Sequence, residues 1–262
     1  MGAGGKVGST ICRTILESGE NELVAAVDPR FAGIDLGQVV GKSGVGLIVS
    51  RDVRSCVTAD AEVAIDFTEA RGSFTNLLQL AQAKIPAVVG TTGFSDSEIG
   101  DLEKAFQGAK VGCVIASNFS IGAILMMRCA ELCAPYFDSV EIVEMHHNQK
   151  LDAPSGTSLE IARRINLARG NSGAGVFMRD ATSTFKIDGA RGAEVDGPIR
   201  VHSLRLVGPV AHHEVIMGTV GQTISIRHDS FDRASFVPGV MLAVNKVQSL
   251  DRLVLGIERF LD

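Results

Sequence analysis

Hydrophobic positions in the first 120 residues fall into short runs separated by stretches with a helical stripe. Residues 23–28 (LVAAVD), 62–67 (EVAIDF), 87–89 and 111–116 read as buried strands. Between them, residues 70–84 place Leu77, Leu78 and Ala81 on one stripe, and Pro86 stops that pattern. Ser95 followed by Glu98 predicts a capped helix start, the hydroxyl and the carboxylate each satisfying a backbone N–H of the first turn. Strands alternating with helices predict an α/β, Rossmann-like, doubly wound parallel sheet.

The pattern changes after Asn118. Residues 121–136 read as a long helix, and the alternation of 139–145 (SVEIVEM) predicts a strand running into His146. A helix is predicted from near Ser155, and residues 168–175 read as a Gly/Ser-rich surface loop. Residues 201–207, 214–218 and 222–228 are strand-like and closely spaced, as in an antiparallel sheet. This predicts a second, α+β domain over 119–228, with helices of 229–262, interrupted at Pro238, returning to a first domain of 1–118.

Composition narrows the function classes. The chain has 262 residues, 45% hydrophobic and 21% charged, enough to bury a core without metal or disulfides. Its net charge is −5 with no Lys/Arg cluster, which argues against nucleic-acid binding, and no apolar run approaches a membrane span. With no signal-peptide pattern at its start, the chain is expected in the cytoplasm. The five cysteines form no CxxC pair; Cys129 and Cys133, one helical turn apart, read as two small buried apolar residues.

Residues 2–8 read Gly2-Ala3-Gly4-Gly5-Lys6-Val7-Gly8 and fit G-x-x-G-x-x-G. Glycines let a backbone turn tightly against a pyrophosphate, and the helix that follows offers its N-terminal N–H groups to it. Asp28, at the end of a predicted strand, stands where an acidic residue meets ribose hydroxyls; Arg30 could face a 2′-phosphate or be an ordinary solvated charge. The strand expected ahead of the glycine turn is absent from the sequence, so either the sequence lacks its true N-terminus or another segment fills that slot.

A second constellation follows the strand at 139–145. His146, His147 and Lys150 precede Pro154-Ser155-Gly156-Thr157, which opens a helix, with Thr157 and Glu160 spaced as a capping box. The N–H groups of Gly156 and Thr157 and the charge of Lys150 make an anion site suited to a small carboxylate. The adjacent histidine can supply a proton near neutral pH, and Lys150 can donate to developing negative charge. His202, His212, His213 and His228 read as structural or interfacial, with a metal site at the 212–213 pair a minor alternative; no metal is expected.

The glycine turn, Val89-Gly90-Thr91-Thr92-Gly93-Phe94, Ala116-Ser117-Asn118-Phe119 and the string Glu144-Met145-His146-His147-Asn148-Gln149-Lys150-Leu151-Asp152-Ala153-Pro154-Ser155-Gly156-Thr157 together resemble the 4-hydroxy-tetrahydrodipicolinate (dihydrodipicolinate) reductases of the diaminopimelate route to lysine. The resemblance covers nearly the whole chain. It implies that Gly2, Ala3, Gly4, Gly5, Lys6, Val7 and Asp28 hold the adenosine diphosphate half of NADH or NADPH, and that Gly90, Thr91, Thr92, Ala116, Ser117, Asn118 and Phe119 line its nicotinamide side. It also implies His146 as proton donor and acceptor, Lys150 as second proton donor, and His147, Gly156 and Thr157 as ligands of a dicarboxylate substrate. A homotetramer assembled through the second domain is implied too. The alternatives are another aspartate-pathway Rossmann oxidoreductase, of which a semialdehyde dehydrogenase needs an exposed catalytic cysteine, and a nucleotide-binding protein of this fold left inactive by the missing strand.

Overall fold

The computed structural model describes residues 1–261. The chain folds as two compact units: residues 1–120 together with the stretch from Arg233 onward, and residues 121–232. The first unit opens with α1 (Lys6–Ser18), α2 (Leu36–Val40), α3 (Arg54–Thr58), β1 (Ala64–Asp66), α4 (Ala70–Gln82), β2 (Ala87–Val89), α5 (Asp96–Ala109) and β3 (Cys113–Ile115). The second holds α6 (Ile121–Cys133), β4 (Ser139–His147), α7 (Gly156–Asn171), β5 (Ala193–Val195), β6 (Ile199–Leu206), β7 (Ala211–Thr219) and β8 (Gln222–Ser230). The chain then returns to the first unit with α8 (Val237–Val247) and β9 (Leu253–Leu255).

In the first unit β1-β2-β3-β9 form a parallel sheet in that order. Leu77, Leu80, Leu102 and Phe106 pack its core and are fully buried. The capping box at the start of α5 is present in full, with Ser95 accepting from the Glu98 N–H. Strand β9 carries no periodicity and was not anticipated. Pro238 stands in the first turn of α8, where a missing N–H costs nothing, rather than interrupting the helix.

The predicted strand at 23–28 is corrected. That segment is extended, yet it makes only a single parallel bridge, Val27 to Ser50. A strand is defined by its ladder, and a single bridge does not make one. The Met1 amine donates to Ile65 O (2.6 Å) and Phe67 N donates to Met1 O (3.2 Å). Gly2 N and Ala3 N both donate to Val27 O (2.8 and 3.2 Å). Beyond Met1, a cavity of about 420 Å³ separates residues 22–26 from 62–65 and is lined by Ile11 and Ile15 of α1 and Met241 of α8.

The second unit contains a continuous five-stranded sheet, β5-β6-β4-β7-β8. It is mixed rather than antiparallel: β4 and β6 run parallel, because the chain crosses between them through α7, while the other pairs are antiparallel. Burial alternates strictly along β4, with Val140, Ile142, Glu144 and His146 on the covered face. Ile161, Ala162 and Ile165 of α7 are buried as well. This helix runs to Asn171, so the predicted loop at 168–175 starts only at Ser172. Arg169 near its end is buried, donates to Gly175 O and Ala134 O (2.9 Å each) and lies over the Phe177 ring. Cys129 is exposed and Cys133 half-buried, which corrects the reading of both as buried; α6 turns that face away from the core. No helix of the described residues is long and apolar enough to cross a membrane.

Candidate active site

In the first unit the glycine turn is built without room for side chains. Gly2 has φ +74°, and a Cβ there would lie 2.4 Å from Phe67 O. A Cβ on Gly8 would lie 2.1 Å from Gly2 O, so helix α1 is seated directly on the turn. Gly5 is the N-cap of α1 and provides no side-chain cap, which leaves the first-turn N–H groups available to an anion. Lys6 and Val7 form the first turn itself. Asp28 is buried and accepts from Gly4 N (3.0 Å), Arg30 N (3.0 Å) and the Arg30 guanidinium (3.2 Å). Burial works against its ionisation, but these donors outweigh it and hold its carboxyl below the usual range. The turn, the open helix end and the buried Asp28 carboxylate fit a dinucleotide phosphate and ribose.

Three sequence strings meet at one ring that the sequence reading did not single out. The Phe67 carbonyl faces Gly2, its ring would meet a Cβ on Gly90 at 2.1 Å, and it packs tilted on Phe119 with centroids 5.7 Å apart. Phe119 is itself buried. Thr91 is also buried, and its hydroxyl donates to Asp66 Oδ1 (2.8 Å), so this side chain pins the loop to the sheet rather than facing outward. Asn118 turns back on its own loop, accepting from Ser120 N (2.8 Å). Ala116 N donates to Val89 O (2.9 Å), which keeps the loop carrying Ser117 beside the one carrying Thr92.

In the second unit, β4 delivers His146 and His147 at its end on opposite faces. His146 Nδ1 lies 2.8 Å from Glu144 Oε2, two residues back on the same face. The other Glu144 oxygen accepts from Arg205 (2.9 Å) and from Ser155 N (3.2 Å). Burial disfavours the ionised carboxylate, yet His146, Ser203, Ser155 and Arg205 together bring its pKa far below the usual value. His213 stands edge-on to His146 with centroids 5.3 Å apart, and its Nε2 is 3.3 Å from Ser155 Oγ. Burial, reinforced by the charge His146 would carry, lowers the pKa of His213 to about 4.

Ser155 is the N-cap of α7, its hydroxyl accepting from Ser158 N. The Thr157–Glu160 capping box is therefore corrected: Thr157 already lies inside the helix, and Glu160 pairs with Arg163 (2.7 Å). The correction leaves the N–H groups of Gly156 and Thr157 in the first turn, next to a cap tied to Glu144 and His213. Lys150 extends from the same connection, with its ammonium 2.7 Å from Asp152, and this ion pair lowers the Asp152 pKa. Arg205 also donates to Asp152 O (2.7 Å). His212 and His213 cannot share a metal, because β7 sends them to opposite faces: His212 binds Asp229 (2.6 Å) on one, and His213 meets His146 on the other.

Residues 1–119 match the family described as dihydrodipicolinate reductase, N-terminus, and residues 122–261 match its C-terminus. The chain belongs to the dihydrodipicolinate reductase family. It is 41% identical over 262 residues to the 4-hydroxy-tetrahydrodipicolinate reductase of Carboxydothermus hydrogenoformans, covering 100% of this chain and 97% of that one. It is 44% identical over 263 residues to the enzyme of the same name from Nocardia farcinica, again over 100% and 97%. Among solved structures it is similar to a dipicolinate-bound dihydrodipicolinate reductase from Paenisporosarcina sp. TG-14, with TM-score 0.83 and 37% identity over 97% of this chain and 95% of that one.

Membership in this reductase family removes the semialdehyde dehydrogenase alternative. The structure also brings His213 and Arg205 into this cluster, where sequence reading did not place them. Their signal lies in sheet register: His213 pairs opposite Glu144, and Arg205 opposite His146.

Proposed function

We propose that the protein reduces 4-hydroxy-tetrahydrodipicolinate to tetrahydrodipicolinate with loss of water, using NADH or NADPH, in diaminopimelate and lysine biosynthesis. One observation carries the reading. A buried histidine held against a carboxylate, a lysine and an open helix N-terminus are tied together by Ser155, Glu144 and Arg205.

In this reading the first unit holds the dinucleotide through residues 2–7 and Asp28, with Gly90, Thr91, Thr92 and 116–119 at its nicotinamide end. When bound, the cofactor supplies a hydride. The chain's own residues do the rest. Gly156 and Thr157 N–H groups, with His147, take the two substrate carboxylates, which compete with Asp152 for the Lys150 ammonium. The 4-hydroxyl leaves with a proton from the neighbouring ring carbon as water, which creates a conjugated C=C–C=N acceptor, and hydride addition to it leaves electron density on the ring nitrogen and its carboxylate. The Lys150 ammonium donates to that density, and His146 delivers the proton to ring carbon. Each group is worth ~10²–10⁴-fold, or ~3–5 kcal/mol of barrier. The surrounding packing keeps the histidine side dry, since His146 and Glu144 are buried.

The open face of the second sheet, carrying half-buried Val143 and Met145, supports assembly through this unit into a homotetramer, and a biosynthetic role supports a cytoplasmic location. The decisive experiment follows NADH and NADPH absorbance while supplying the aldol product of pyruvate and aspartate semialdehyde. Turnover that collapses in Lys150→Ala and in His146→Gln supports the reading. Unchanged turnover in both variants would overturn the residue roles.

A further inference from the structure

We propose that Glu144 is the positioning residue for His146, holding the imidazole with its proton on Nδ1 and leaving Nε2 as the nitrogen that exchanges a proton with the substrate. The inference rests on the role of His146 given above and adds how that ring is oriented and kept in one tautomer.

Glu144 is 0% exposed, and a carboxylate there stays ionised only if it is fully partnered. Its Oε1 is occupied by Arg205 Nη2 at 2.9 Å and Ser155 N at 3.2 Å. That leaves Oε2, and its neighbour is His146 Nδ1 at 2.8 Å. Neither of these two buried atoms makes an aligned hydrogen bond to any other group among the described residues. The contact is short and bent away from hydrogen-bond alignment, so a small rotation of the ring completes it. An ionised carboxylate only accepts, so the proton between the two atoms belongs to the ring. A fixed Nδ1–H sets the ring plane and makes Nε2 the working nitrogen.

The groups around this pair sustain it. Arg205, opposite His146 on β6, neutralises Glu144 from the far side and fastens the Lys150–Asp152 connection through Asp152 O. His213, opposite Glu144 on β7, braces the ring edge-on and stays neutral down to a pKa of about 4, so it adds no competing cation. Glu144, His146 and His213 also bring three donor atoms within 4.8 Å of one another, a spacing a metal could use. The guanidinium already at Glu144 supplies the positive charge that a metal would bring there.

The test starts with the unmodified protein. After ¹⁵N-labelling of its histidines, and with the His146 signals identified by their loss in His146→Gln, the neutral ring is expected as the Nδ1–H tautomer. Glu144→Gln preserves volume and the acceptor for Ser155 N but presents an amide to the ring. It is expected to move the ring toward the Nε2–H tautomer, to shift the pH profile of kcat by about one unit to lower pH, and to lower kcat by ~10²–10⁴-fold with KM within about twofold. Glu144→Asp, which keeps the charge, is expected to recover at least tenfold of that loss. An Nε2–H tautomer in the unmodified protein overturns the proposal, as does a Glu144→Gln variant with unchanged kcat and pH profile. Should Glu144→Gln not fold, the tautomer of the unmodified protein decides alone. Full activity in His146→Gln would overturn the proton-donor role instead, and would leave the tautomer result standing.

Discussion

The two sheets of this molecule are held together in opposite ways. In the second unit every strand from β5 to β8 is laddered to its neighbour, and the register itself assembles the chemistry, Glu144 facing His213 and His146 facing Arg205. In the first unit the sheet runs unbroken only from β1 to β9, and the segment carrying Asp28 stands across a cavity from β1, bridged through Met1 and Gly2. The difference teaches where precision comes from. The proposed proton chemistry rests on cross-strand register, which cannot slip without reversing every side chain. The dinucleotide cradle is placed by glycines whose neighbours exclude any side chain.

That contrast predicts effects of descending size. Removing the cation or the acid of the second unit, by Lys150→Ala or His146→Gln, is expected to lower kcat by ~10²–10⁴-fold while cofactor titration by fluorescence stays unchanged. Next comes pH. The folded-state pKa of His213, about 4, lies below the ordinary imidazole value of 6.5, so the native state binds fewer protons between these values. The stability this contributes is present above pH 6.5 and is lost as pH falls toward 4, by about 3 kcal/mol in all. Denaturant unfolding of the second unit across that range measures it, and His213→Gln should flatten the slope. In the first unit, Gly8→Ala drives a Cβ against Gly2 O, where only backbone could yield. It is expected to cost about 1–3 kcal/mol of that unit's stability and at least ~tenfold in cofactor Kd, without moving the His146 tautomer. The smallest effect is expected at Arg30, whose guanidinium sits exposed beside Asp28. Arg30→Ala should raise the KM for NADPH roughly tenfold with little change for NADH, about the worth of one charge-assisted contact. Equal effects on the two cofactors would show that Arg30 does not read the 2′-phosphate.

Much of this was legible from local patterns. The alternation of β4 and the apolar stripe of α4 each follow from a period the backbone imposes, and Ser95–Glu98 follows from the orphan N–H groups of a helix start. The string from His146 to Thr157 is contiguous, so its residue types could be read together. What escaped depended on contacts distant in sequence. Residues 23–28 have the composition of a strand, but the ladder depends on what lies beside them. His213 and Arg205 each look ordinary along their own strands, and only pairing with β4 gives them a place at the site. Thr157 and Glu160 have capping-box spacing, yet Ser155 already fills the cap two residues earlier.

The uncapped start of α1 has a thermodynamic corollary. Gly5 offers no side-chain partner to the first-turn N–H groups, so a ligand that grips the turn supplies partners that the polypeptide does not. By linkage, a dinucleotide at one hundred times its Kd adds about 2.7 kcal/mol to the state that binds it. The cofactor would then be part of the architecture of the first unit as well as its reagent, and the melting of that unit should track cofactor concentration.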